Sequence, residues 1–140
     1  MGESKAVAAI RSAVEALNGG DIDGYLDHFN PSCRRWIVGV DQPLSLAEVS
    51  DGLRDLHAAF EGLQLEEDLL FGDDRFACVC WRMRGRHVDD YLGIAPSGRT
   101  IEVETCEIYE LDQHLVVTTR TYGDLGQLFR QISVDESHCA

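Results

Sequence analysis

The chain has 140 residues, 44% of them hydrophobic, with a formal net charge of −13 and a pI near 4.6. That is enough apolar material for one ordinary domain, and 1–140 reads as a single unit with a core over about 5–132 and a tail at 133–140. The acidic field repels polyanions, which argues against nucleic acid and anionic membranes as partners. No apolar run approaches the ~20 residues of a membrane span. The start lacks the order of a signal peptide, so a cytoplasmic protein is expected.

In chain order, Val7, Ile10, Val14 and Leu17 recur at helical spacing, predicting a helix over about 5–17 that Asn18-Gly19-Gly20 stops. Asp21 can cap a second helix over 22–29, which Asn30-Pro31 breaks. A short strand over 33–40 surrounds Trp36, Ile37 and Val38. Ser45-Leu46-Ala47-Glu48 has the form of a capping box, and Val49, Leu53, Leu56, His57 and Phe60 make the apolar stripe of a third helix that Gly62 closes. From Leu63 the period changes to two. Strands are predicted over 64–71, 75–87, 100–111 and 115–122, followed by a short helix over 125–132. Helices followed by an antiparallel meander give an α+β fold: a cone-shaped α+β barrel in which helices cover the concave face of a curved, mainly antiparallel sheet. Such a cone opens at one end.

Alternation places candidate site residues. In a strand over 115–122, Val116, Thr118, Arg120, Tyr122 and Asp124 share one face, taken to line a pocket. A two-residue turn at Asp112-Gln113 would set Leu111 against His114 and Glu107 against Thr118, leaving Glu107 diagonal to Arg120. That pair is either structural, since a buried Arg120 needs a partner, or holds Arg120 toward a ligand oxyanion. Asp124 is either a helix cap or an acid–base group. His87, on the same face as Met83 and Trp81, is either a satisfied strand-end histidine or a proton relay. Tyr25, Phe29 and Trp36 are core residues or contribute to the pocket mouth. His28 and His57 read as packing residues on helices.

Lys5 is the only lysine, which disfavours Schiff-base chemistry. The five cysteines contain no C-x-x-C pair and the five histidines no metal-ligand spacing, so neither a metal nor a disulfide framework is expected. Cys78 and Cys80 read as strand packing.

The segment 85–99, GRHVDDYLGIAPSGR, resembles the G-x-H-x-x-x-[FY]-x-G-I-x-P-[ST]-G-[RK] signature of the SnoaL-like polyketide cyclases, in the nuclear transport factor 2-like superfamily. Asn18-Gly19-Gly20-Asp21-Ile22-Asp23 is similar to that family's N-x-G-D-x-D turn. Arg120-Thr121-Tyr122-Gly123-Asp124 with Arg130-Gln131 is similar to its closing strand and helix. The resemblance implies a general acid–base role for Asp124 and a homodimer formed through the sheet. The outer sheet face, with Arg82, Arg84 and Arg86 against Glu102 and Glu104, suits the latter by charge complementarity.

There is no G-x-S-x-G elbow, phosphate loop or G-x-G-x-x-G. What remains is acid–base chemistry without a cofactor. The expectation is a cyclase acting on a hydrophobic polycyclic substrate, with Asp124, His87 and Arg120 catalytic and Tyr122, Trp81, Trp36, Tyr25, Phe29, Glu107 and Met83 binding it. Hydroxylation or isomerisation of an aromatic polyketide, and a non-catalytic ligand-binding module, are the alternatives.

Overall fold

In the computed structural model, which describes residues 3–124 and 126–133, the first helix, α1 (Lys5–Asn18), turns Ala6, Val7, Ile10, Ala13, Val14 and Leu17 onto the sheet and buries them all. Its end is clamped: Asn18 donates Nδ2–H to the Leu65 carbonyl and accepts the Leu65 N–H, both at 2.9 Å. Asp21 caps α2 (Ile22–Leu26) by accepting the Gly24 N–H at 2.8 Å. This helix ends before the predicted Phe29, because the chain is already extended there. The first strand, β1 (Phe29–Ile37), begins four residues earlier than expected and takes Pro31 into an irregular stretch of its pairing, where a missing N–H breaks no ladder bond.

A two-residue strand, β2 (Leu44–Ser45), leads into α3 (Leu46–Ala59), and the Ser45/Glu48 capping box forms as the sequence indicates. The apolar stripe of α3 is real, but Gly62 does not close it. The helix passes at Phe60 directly into β3 (Phe60–Gly72), where Gly62 has φ +63° at a bulge between Glu61 and Gln64. β4 (Phe76–His87), β5 (Thr100–Asp112) and β6 (Leu115–Tyr122) complete a six-stranded sheet of order β2-β1-β6-β5-β4-β3. Every neighbour is antiparallel except the parallel pair β1–β6. The bulges bend this mixed sheet, and the helices pack on it as the α+β expectation requires.

The C-terminal helix, α4 (Gly126–Ile132), docks where β6 has run out. Gln127 and Gln131 lie four apart on one helix face. Their side-chain amides take up the free N–H and C=O of Glu104 and Glu102, at 2.8–3.0 Å, in place of another strand. The predicted tail at 134–140 and Leu125 lie outside the described residues.

The β5–β6 hairpin corrects the expected register. Gln113 and His114, both with positive φ, are the central turn residues, so Asp112 faces Leu115, one step later than predicted. Val117 is then extra: Leu111 pairs Val116 while Glu110 pairs Thr118. Because side chains alternate with period two, one inserted residue swaps the two faces beyond it. Val116, Thr119 and Thr121 therefore point to the helices, while Arg120 and Tyr122 point outward. Glu107 is opposite Thr121, and Ile108 is opposite Arg120.

On the outer face, the charges that suggested a complementary partner are paired within the chain. Arg84 meets Glu102 at 2.8 Å, Arg82 meets Asp68 at 2.9 Å, and Arg86 meets Glu61 at 3.2 Å. Exposed pairs of this kind add little stability.

Candidate active site

Two apolar clusters form the interior. One joins α1 and α2 to Ala77, Val79, Trp81, Tyr109 and Val116; the other gathers Ala59, Phe60, Leu63, Ile101, Val103, Leu128 and Ile132. Between them is a cavity of about 180 Å³. Its walls are Leu17, Leu53, Leu56, Leu63, Leu65, Met83 and Val103, and its polar groups are Asn18, Tyr25, Arg35, His57, Thr105, Glu107 and Thr121. A mostly apolar hollow with a few convergent polar groups is the usual form of a small-molecule site.

The polar end is a closed hydrogen-bond ring. Arg35 Nη2–H donates to Tyr25 Oη at 3.4 Å, and Tyr109 Oη–H donates to Glu107 Oε1 at 3.2 Å. The two tyrosine hydroxyls are 3.3 Å apart. Since the Tyr109 proton is committed to the carboxylate, Tyr25 donates across that contact. Thr121 Oγ1–H donates to Glu107 Oε2 at 3.2 Å, and Arg35 Nη2 closes the ring 3.5 Å from the same oxygen. Burial pushes both tyrosines up, Tyr109 well above its ordinary value, so both hydroxyls stay protonated. Burial alone would lower Arg35, but the facing Glu107 and the two tyrosine oxygens outweigh it and hold the guanidinium charged. The Arg35 Nε–H is buried with no hydrogen-bond partner. The ring thus fixes a cation at the cavity and leaves it donor capacity for a ligand oxygen.

His57 supplies a different group. It is on α3, and its Nδ1 is 2.9 Å from the Leu53 carbonyl oxygen. A carbonyl can only accept, so Nδ1 carries the proton and the neutral ring keeps its lone pair on Nε2. The geometry therefore leaves a base nitrogen at the cavity wall.

Of the residues expected from sequence, Tyr25, Glu107 and Met83 line this cavity. Glu107 does pair with an arginine, but with Arg35, because the Val117 bulge turns Arg120 to solvent. Tyr122, 44% exposed, and Trp36, 41% exposed, are on the outer face, where Trp36 is in register with Arg120. Phe29 is core, packed between Tyr25 and Tyr109. Trp81 is buried on the inner face but borders a separate hollow with Arg11, Val14 and Glu67.

His87 and Asp124 are not among the cavity's lining residues. His87 is fully buried at the end of β4, stacked on Phe60, and its Nδ1 accepts the Ser97 N–H at 3.0 Å, so that it anchors the 88–99 loop. Asp124 is an exposed carboxylate that accepts the Gly126 N–H at 2.8 Å and pairs with Arg130. The Arg130 hydrogen bond, then the Gly126 N–H, hold its carboxyl below the usual range.

Sequence reasoning missed Arg35, Tyr109 and Thr121 and assigned His57 to packing. The available signal was Arg35 itself, a charge on the Cys33–Arg35–Ile37 face of a strand. Among the described residues, no group of three or more His, Cys, Asp or Glu is arranged to hold a metal ion, and no helix is long and apolar enough to cross a membrane.

The sequence profile of the SnoaL-like polyketide cyclases matches residues 7–132. The chain belongs to the SnoaL-like polyketide cyclase family. Solved structures carry the same nuclear transport factor 2-like fold. AclR from Streptomyces galilaeus, provisionally assigned as a hydroxylase, superposes with TM-score 0.82 at 20% identity, covering 90% of this chain and 93% of AclR. IdmH from Streptomyces antibioticus, provisionally assigned as a polyketide cyclase, superposes with TM-score 0.76 at 18% identity over 91% and 97% of the two chains. TsrD from Streptomyces laurentii gives 0.76 at 26% identity over 94% and 97%. No curated protein matches the sequence. All three residues expected from the sequence to be catalytic, Asp124, His87 and Arg120, are outside the lining of the cavity.

Proposed function

We propose that this protein is a cofactor-independent acid–base enzyme of the cyclase type, which closes a ring in a polyketide-like substrate by intramolecular aldol addition. The observation that carries the reading is the apolar cavity with a fixed cation, Arg35, at its polar end and, at its wall, His57, whose Nδ1 is committed to the Leu53 carbonyl so that Nε2 is the nitrogen left for proton transfer. His57 Nε2 takes a proton from a carbon acidified by flanking carbonyls. Arg35 binds the enolate oxygen as charge develops there, held in position by Glu107, Tyr25 and Tyr109. The enolate carbon attacks a second carbonyl, the carbon–carbon bond forms, and the imidazolium returns its proton to the new alkoxide. No external reactant is consumed. At about 180 Å³ the cavity is below the ~300–1,000 Å³ of drug-sized sites. It therefore takes a bicyclic end of the substrate, with the remainder at the mouth.

The test uses 2-tetralone, a neutral bicyclic ketone with an acidic α-carbon. Exchange of its α-hydrogens in deuterium oxide is followed by NMR, with binding read from chemical-shift changes of Met83 and Val103. Acid–base catalysis contributes roughly 10²–10⁴-fold, so exchange should rise over buffer by that order and fall to background in His57→Gln with binding kept. Binding without exchange in the wild type would overturn the enzyme reading and favour a hydrophobic-ligand carrier. That alternative has its own support in the cap and ion-pair engagement of Asp124.

A further inference from the structure

Three of the five cysteines stand together on the sheet face turned away from the cavity. Cys78 and Cys80 are on β4, two apart and so on one face, and Cys106 is on β5 directly opposite Cys80. Cys106 is the centre of the group: its Sγ is 3.8 Å from Cys78 Sγ, and Cys80 is the residue it faces across the ladder. All three are partly exposed, whereas Cys33 is 3% exposed in the core. The rim is apolar. Leu69, opposite Cys80, and Phe71, opposite Cys78, are 54% and 55% exposed.

Packing alone does not account for this arrangement. A buried sheet face would favour small apolar side chains, but this face is open, and on it Cys106 faces one thiol and stands 3.8 Å from another. A disulfide requires sulfurs about 2 Å apart and Cα atoms ~4.4–6.8 Å apart. Cys80 and Cys106 are facing positions of an antiparallel pair, about 4.5–5.5 Å apart, so side-chain rotation suffices there and the ladder need not move; Cys78 faces Ile108 and is diagonal to Cys106.

We propose that Cys80 and Cys106 form a thiol–disulfide site on the outer sheet face, beside Cys78, in which the two bond when a peroxide oxidises the protein. One thiolate attacks a peroxide oxygen, the O–O bond breaks, and a sulfenic acid and water result. The second thiolate attacks that sulfur, the S–S bond forms and the S–O bond breaks, releasing a second water. Two thiols and one hydrogen peroxide thus become a disulfide and two waters. Burial pushes the Cys80 and Cys106 thiols up, so oxidation speeds up as pH rises.

The experiment treats full-length protein carrying Cys139→Ser with hydrogen peroxide, then maps disulfides by mass spectrometry without reduction and counts free thiols after denaturation. The expected result is loss of two thiols per chain and a cross-link from the Cys106 peptide to the peptide containing Cys78 and Cys80. In Cys78→Ser the cross-link persists, whereas in Cys80→Ser it is lost. In Cys106→Ser, with an unchanged circular dichroism spectrum, the bond is lost and a sulfenic acid is trapped by dimedone. A folded Cys106→Ser protein that still loses two thiols within the chain would overturn the proposal. So would a wild type that keeps all its thiols when folded yet loses them under the same oxidant when unfolded.

Discussion

Replacing Glu107 with glutamine leaves the Arg35 guanidinium beside a neutral amide in a largely dehydrated site. The two side chains retain only 17% and 12% of their exposure, and removing one member of a buried pair costs about 3–5 kcal/mol. Their 3.5 Å separation places this pair at the lower end, about 3 kcal/mol. Glutamine adds a conflict, because Tyr109 and Thr121 both donate to Glu107 and an amide nitrogen cannot accept. Arg35→Met should cost a similar amount by stranding the carboxylate. The double variant, Arg35→Met with Glu107→Gln, removes both charges and should cost about 3 kcal/mol instead of the roughly 6 kcal/mol of independent losses. Urea unfolding followed by circular dichroism measures all four proteins. With a slope of about 1–3 kcal/mol/M, each single variant should move the midpoint by roughly 1–3 M. Single variants within about 0.5 kcal/mol of wild type, combining additively, would mean that the ring is solvated and would remove its claim to hold Arg35 for a ligand.

Asp124→Asn should leave tetralone binding and α-hydrogen exchange at wild-type levels, because the carboxylate is outside the cavity; loss of exchange with the fold intact would return the acid–base role to it. Its depressed folded pKa contributes stability that is present above the unfolded value of about 3.9 and lost as pH falls through the folded value, so the asparagine variant should show a shallower acid limb in pH-dependent melting. At the other extreme, Tyr25 and Tyr109 are raised by burial. Their contribution is complete below the unfolded value of about 10 and is lost as pH rises toward the folded values, so stability should fall in that window, with the share of tyrosinate absorbance due to these two, read by difference from Tyr25→Phe and Tyr109→Phe, appearing only on unfolding. Gly62→Ala places a side chain at φ +63° and should cost about 1 kcal/mol, a drop in melting temperature of roughly 3–4 °C; an unchanged melting temperature would show that the bulge relaxes.

Local signals carried much of this fold. The 3.6-residue stripe of α1, the Asp21 cap, the Ser45/Glu48 capping box and the period-two runs of β4 and β5 are each written in neighbouring residues, and each forms as read. Glu107 and Met83 were legible for the same reason: alternation assigns a face without knowledge of the partner. The rest depended on what arrives from elsewhere. Nothing near Arg35 in the sequence says that β1 lies parallel to β6 and so carries its guanidinium to Glu107. His57 becomes a base only because its helix faces the gap between two cores and its own backbone holds the other nitrogen's proton.

The residue that moved the site was Val117. One extra position in β6 is almost invisible to pattern reading, yet it reverses the faces of everything after it, turning Arg120 and Tyr122 outward and leaving Asp124 to cap a helix. Sequence by itself determined most of the elements, the amphipathic faces of the helices and the family, because these are set by residues close in the chain. Only the tertiary structure decided which acid meets which arginine, since register depends on a turn and a bulge whose cost is settled by pairing across the whole sheet.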